Sequence, residues 1–160
     1  MSEAQVGFIK SRLAIAASAL LILGAVPASA SLGGDTASIE ADQVHLQGTR
    51  TTKAGESYTV HEIQAGNGTA VREYVSPEGK VFAIGWNGPW MPDLRQVLGG
   101  FFEQYRTALQ AQSGPRIVRR PVAIQQPGLV VQVGGHIRAF SGRAYVPDML
   151  PSGVRAEEIQ

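Results

Sequence analysis

Four polar residues stand on two neighbouring stretches where they could act together: His61 and Glu62, then Arg72 and Glu73. An imidazole and two carboxylates on one hairpin could support hydrolase-like acid–base chemistry, given a concave pocket and a carboxyl shifted by burial or like charge. With a turn near Asn67, Glu62 falls opposite Arg72, or His61 opposite Glu73, depending on register. Cross-strand charge pairs of this kind are normally structural. Glycoside hydrolysis would also need a cleft that holds a sugar between two carboxyls, which one helix on one sheet rarely provides. His61-Glu62 opens like a zinc-protease motif, but the position needing the second histidine is Ala65, and the segment reads as strand. The three histidines, His45, His61 and His136, have no spacing that gathers them around a metal. Ser141-Gly142 lacks the Gly-x-Ser-x-Gly frame of a nucleophile elbow, and Ser76 belongs to a turn. The chain has no cysteine, which excludes thiol catalysis, disulfides and cysteine-ligated metal. No metal site and no cofactor are expected.

Binding chemistry has two candidate places. Arg116, Arg119 and Arg120, with Arg138 and Arg143 on a later strand, could form a site for carboxylate or phosphate groups if the strands are neighbours. The plainer reading is a strand edge guarded by charge and proline. Trp86 and Trp90 flank Asn87-Gly88-Pro89, where aromatic rings could stack on a ligand or simply seal a core. The ligand-binding candidates are therefore Trp86, Trp90, Arg138 and Arg143. Asn67-Gly68-Thr69 matches a glycosylation sequon, but a turn explains the same residues.

These residues need elements to hold them. Tyr58–Ile63, Thr69–Val75 and Val81–Trp86 are rich in β-branched and aromatic residues, with turn formers between them. Ser76-Pro77-Glu78-Gly79 closes a hairpin, with proline presetting φ and glycine accepting the positive φ that follows. Strand alternation puts Phe82, Ile84 and Trp86 on a large face toward a core. Val81, Ala83 and Gly85 form a small face that something could approach closely. From Leu94 the apolar residues Val97, Leu98, Phe101, Phe102, Tyr105 and Leu109 follow at helical spacing, so one long amphipathic helix is predicted over about 93–112. Pro92 and Asp93 suit its start. Gly99-Gly100 inside it costs about 1 kcal/mol per glycine, which calls for close backbone packing or a bend. A short helix over Asp35–Leu46 competes with a strand, and Gly48–Ser57 is a loop or an edge strand. Ile117–Gln125 reads as an edge strand, Leu129–Val133 as a central one, Gly134-Gly135 as the next turn and His136–Tyr145 as the return. Strands, helix, strands with hairpin-length links predict an α+β fold, an antiparallel sheet carrying one helix.

The first thirty residues stand apart. Lys10 and Arg12 precede an apolar run from Leu13 to Val26, and Ala28-Ser29-Ala30 has the small-x-small form that signal peptidase cuts. Cleavage near Ala30/Ser31 and a periplasmic or secreted product, with no retained anchor, are expected. The remainder is one domain over 31–150 with a polar tail at 151–160. Lys10, Arg12 and Glu3 leave with the signal, so 14 Lys+Arg and 13 Asp+Glu become 12 and 12. A neutral domain of this kind argues against nucleic acid as a partner.

Tyr58-Thr-Val-His-Glu-Ile63, Val71-Arg-Glu-Tyr-Val75, Gly88-Pro89 with Met91-Pro-Asp-Leu94, and Arg138-Ala-Phe140 with Gly142-Arg-Ala-Tyr-Val-Pro147 resemble, in matching order, an exported bacterial family called domain of unknown function 2844. The likeness spans essentially all of the chain beyond the signal. It implies export and a single domain, and it carries over no activity, cofactor or catalytic residue. The expected function is a small exported binding or accessory protein of the envelope, its partner an envelope protein or a small ligand. An enzyme using the 58–75 hairpin is the alternative.

Overall fold

A computed structural model describes residues 32–112 and 121–160. The expected signal segment and Arg116, Arg119 and Arg120 lie outside the described residues. Among the described residues seven strands form one sheet: β1 Thr49–Ala54, β2 Thr59–Gln64, β3 Ala70–Val75, β4 Val81–Gly88, β5 Val122–Gln126, β6 Leu129–His136 and β7 Ala139–Tyr145. Their order is β1-β2-β3-β4-β7-β6-β5, and every pairing is antiparallel. β4 is the middle strand, and Val81–Trp86 are all buried, as a strand covered on both faces requires. The polar stretch after Gly48 is the edge strand β1, and β5 is the opposite edge. Among the described residues no helix is long and apolar enough to cross a membrane.

Helices cover one face. α1 spans Thr36–His45, with the Asp35 carboxylate accepting from the Ala37 and Ser38 amides. The second helical stretch runs from Leu94 to Ala111 and is capped by Asp93, which accepts from the Arg95 amide at 2.9 Å. Its glycine pair bends it: α2, Leu94–Leu98, passes through a 3-10 turn at Gly99–Phe101 into α3, Phe102–Ala111. Gly99 lies at φ 47 and ψ −120, a conformation closed to other residues, and Gly100 has nothing within 4 Å of where a Cβ would stand. Of the two offsets considered for this pair, the chain uses the bend. Ile39, Val97, Leu98, Tyr105 and Ala108 close over Ile63, Val71, Ile84, Trp86, Ile124, Leu129, Val131 and Ala144.

The turn at Ser76–Gly79 forms as expected, with the Gly79 amide donating to Ser76 O at 2.9 Å and Gly79 at φ 77. It brings a β-bulge, because Tyr74 pairs with Ala83 while Val75 pairs with Val81, leaving Phe82 as the extra residue. That corrects the simple alternation. Ile84 and Trp86 face the helices, but Phe82 joins Tyr74 and Ala83 on the other face. A second difference concerns β6, which continues through Gly134-Gly135 to His136. The turn falls at Ile137-Arg138, with Arg138 at φ 67, and β7 begins at Ala139.

The second face is covered in part by the chain's own end. Two 3-10 turns, Pro147–Met149 and Ala156–Glu158, carry the backbone across it, and Ile159 is buried against Tyr74, Phe82 and Ala83. Tyr58, Tyr74 and Phe82 pack as tilted and T-shaped pairs there, with ring centroids 5.7 to 6.2 Å apart. The residues read as a polar tail are thus part of the packed structure.

Candidate functional site

The β2–β3 register pairs Glu62 with Arg72 and His61 with Glu73 at once, so the two pairings are one register rather than alternatives. Pleating sends them to opposite faces. Glu62 and Arg72 lie on the face that carries the chain's end, where Arg72 Nε donates to Glu62 Oε2 at 2.6 Å. His61 and Glu73 lie on the helical face. The four candidates on this hairpin therefore do not share a site.

The helical-face pair is closed off. Glu73 is fully buried in a cross-strand row of Ile84, Ala144, Val131 and Ile124, and above it α1 brings down Asp42, also fully buried. Burial first, and then Asp42 within hydrogen-bonding reach, push the Glu73 carboxyl up to about 9. Asp42 Oδ1 accepts from Gln96 Nε2 at 2.7 Å. His61, held by Thr52 Oγ1 at 3.1 Å, is shifted downward by burial and then by Arg50. Sequence reasoning missed Asp42. The available signal was its place between Ile39 and Leu46 at helical spacing, on the stripe that α1 turns inward.

The other face holds an open hollow of about 730 Å³. Its row, from β1 to β5, reads Thr51, Glu62, Arg72, Gly85, Arg143, Gln132 and Ala123. Gly85 leaves room between the two arginines, and the chain's end fills it: a Cβ at Gly85 would lie 2.3 Å from Gln160 O. The small face of β4 is approached as its composition suggested. Arg72 Nη1 donates to Asn87 Oδ1 at 2.8 Å and to Gln160 O at 3.3 Å. Arg143 Nε donates to Gln132 Oε1 at 2.8 Å, and its Nη1 donates to the carbonyls of Ala156 at 2.6 Å and Ile159 at 3.3 Å. Tyr74 and Gln160 exchange hydrogen bonds at 2.9 and 3.1 Å. Arg143 is half-buried, and among the described residues no Asp or Glu side chain pairs with it.

The remaining candidates do not converge. Trp86 is 1% exposed, its ring lying over Gly142 on the helical face, whereas Trp90 is 60% exposed on the corner after β4. That corner is tied to the start of β3, because Thr69 Oγ1 donates to Trp90 O at 2.9 Å and accepts from the Trp90 amide at 3.2 Å. Arg138 occupies the β6–β7 turn at the same end of the sheet, about 17 Å along β7 from Arg143. Asn67 Oδ1 accepts from the Thr69 amide, a turn role. His61 on β2 and His136 on β6 are four strand spacings apart, about 19 Å.

A family model described as "Protein of unknown function (DUF2844)" matches residues 28–159. The chain belongs to that family. Its membership agrees with the resemblance drawn from the strand and corner motifs, and the family's description carries no activity. No curated protein and no solved structure matches.

Proposed function

We propose that this member of the family is an exported accessory protein of the cell envelope that binds a small ligand by its anionic group, without acting on it chemically. One observation carries the reading: Arg143 stands half-buried at an open hollow, and among the described residues its hydrogen-bond acceptors are neutral, Gln132 Oε1 and two main-chain carbonyls. A guanidinium drawn partly out of water gains more from an incoming carboxylate or phosphate than an exposed one does. Arg72, already oriented by Glu62, stands one strand beyond Gly85 and supplies further donors. Export is supported by the charged, apolar and small-residue segments of residues 1–30.

The test is a thermal-shift panel of carboxylate- and phosphate-bearing small molecules, each beside an uncharged isostere. Anionic members should raise the melting temperature of the unaltered protein and leave Ser141→Trp unmoved. That substitution fills the hollow and changes neither arginine, although it stands beside Asn87, the acceptor of Arg72 Nη1. Equal shifts in Ser141→Trp, equal shifts from the uncharged isosteres, or no shift from any anion would overturn the reading. N-terminal sequencing of the protein from an envelope fraction should begin at or next to Ser31.

A further inference from the structure

We propose that Asp42 and Glu73 share one proton across the interface of α1 and β3, and that this proton fastens α1 to the sheet as a clasp that tightens in acid and loosens in alkali. The geometry favours a proton there. Both residues are fully buried, and Asp42 Oδ2 and both Glu73 oxygens have no other partner among the described residues. Two ionised carboxylates only accept, so they cannot satisfy one another, and like charges buried side by side repel. A protonated Glu73 donates through one oxygen to Asp42 Oδ2, while Asp42 Oδ1 stays on Gln96, so two of the three unpartnered oxygens join one chain from α2 through α1 to β3.

The surroundings fit a neutral acid on Glu73. His61, directly opposite on β2, is held neutral, and Ile84 flanks the other side on β4. Arg50 on β1 lies on the same face, but it leans to Glu40 of α1 at 4.0 Å and offsets the burial of Glu73 only in part. The apolar hold on α1 itself is slight, although its entry is tied by backbone bonds of Leu32, Gly33 and Gly34 to Val97 and Val81. Its buried residues are Ser38, Ile39 and Asp42, and Val44 is 77% exposed. Losing the proton therefore leaves a charge pair under a helix with one fully buried aliphatic side chain.

The sign follows from linkage. Glu73 binds its proton more tightly in the folded chain than in the unfolded one, so the contribution is complete below the unfolded carboxyl range. It is lost as pH rises toward about 9. His61 is shifted downward by burial and Arg50, and Tyr58 upward by burial and Glu158, so both move away from the window between pH 7 and 9. Comparison with Glu73→Gln separates Glu73 from any other group that titrates in that window.

Urea unfolding of the purified protein at pH 7, 8 and 9 should show the unfolding constant rising by up to about tenfold per unit, with little change in Glu73→Gln. Amide exchange in residues 36–45, corrected for intrinsic rate, should lose protection over the same range before β4 does. The carbon-13 carboxyl resonance of Glu73 should titrate far above the ordinary carboxylate range, and Asp42→Asn, which can donate to a charged Glu73, should lower that midpoint. An ordinary midpoint for Glu73, equal slopes in the unaltered protein and Glu73→Gln, or unchanged α1 protection would each overturn the clasp. If the variants do not fold, the titration of the unaltered protein alone decides. None of these readouts involves the hollow on the opposite face, so they stand or fall apart from the ligand reading.

Discussion

Trp86 and Gly142 face each other across β4 and β7, and neither is free to change. A Cβ on Gly142 would meet Trp86 Cζ2 at 2.3 Å and the Gln132 carbonyl at 2.6 Å, so the largest side chain of the core rests on bare backbone. Gly142→Val should lower stability by about 1–3 kcal/mol or more, read from urea unfolding. It should also shift Trp86 fluorescence to longer wavelength as the ring is pushed from its seat. The burial of Trp86 was legible from the strand pattern, since it follows Phe82 and Ile84 at even spacing. The need for glycine opposite it was not. That depends on which residue of β7 pairs with Trp86, a long-range fact of register.

At the scale of elements, the Leu94–Ala111 helix shows how a local cost becomes a local shape. Its apolar spacing predicted the helix, and the glycine pair predicted either close packing or a bend. The two glycines have different reasons to be there. Gly99 takes a backbone conformation that a side chain would strain, whereas Gly100 has open space and an ordinary φ. Gly100→Ala should stabilise the protein by about 0.4–1 kcal/mol through the unfolded chain's lost freedom, a rise of roughly 2–5 °C in Tm. Gly99→Ala should cost about 1–3 kcal/mol and lower Tm. The β4 bulge was harder to see. Ser76–Gly79 announces a turn, but only the pairing of Val75 with Val81 shows that Phe82 is pushed to the other face.

Taken as a whole, the molecule is a sheet with two different covers. Helices seal one face over a large core and a buried acid pair, while the second face is sheathed by residues 147–160 and leaves an open, arginine-bearing hollow. The join between chain end and sheet depends on Gly85. Gly85→Ala places a Cβ where Gln160 O now lies, so residues 156–160 should lift while the helical face stays intact. Amide exchange in residues 156–160 should then be faster than in the unaltered protein, with little change in far-ultraviolet circular dichroism. Equal exchange would show that this segment is held without that close approach.

Local patterning determined the elements: alternation made the strands, spacing made the helices, and Pro, Gly, Asn and Asp marked most turns. Each of these signals acts over a few residues, so each could be read from the chain. The sites were decided by tertiary structure, because strand pleating and register act between residues far apart in sequence. They divided His61 and Glu73 from Glu62 and Arg72, brought Asp42 of one helix onto Glu73, and laid the last residues of the chain across Arg72 and Arg143.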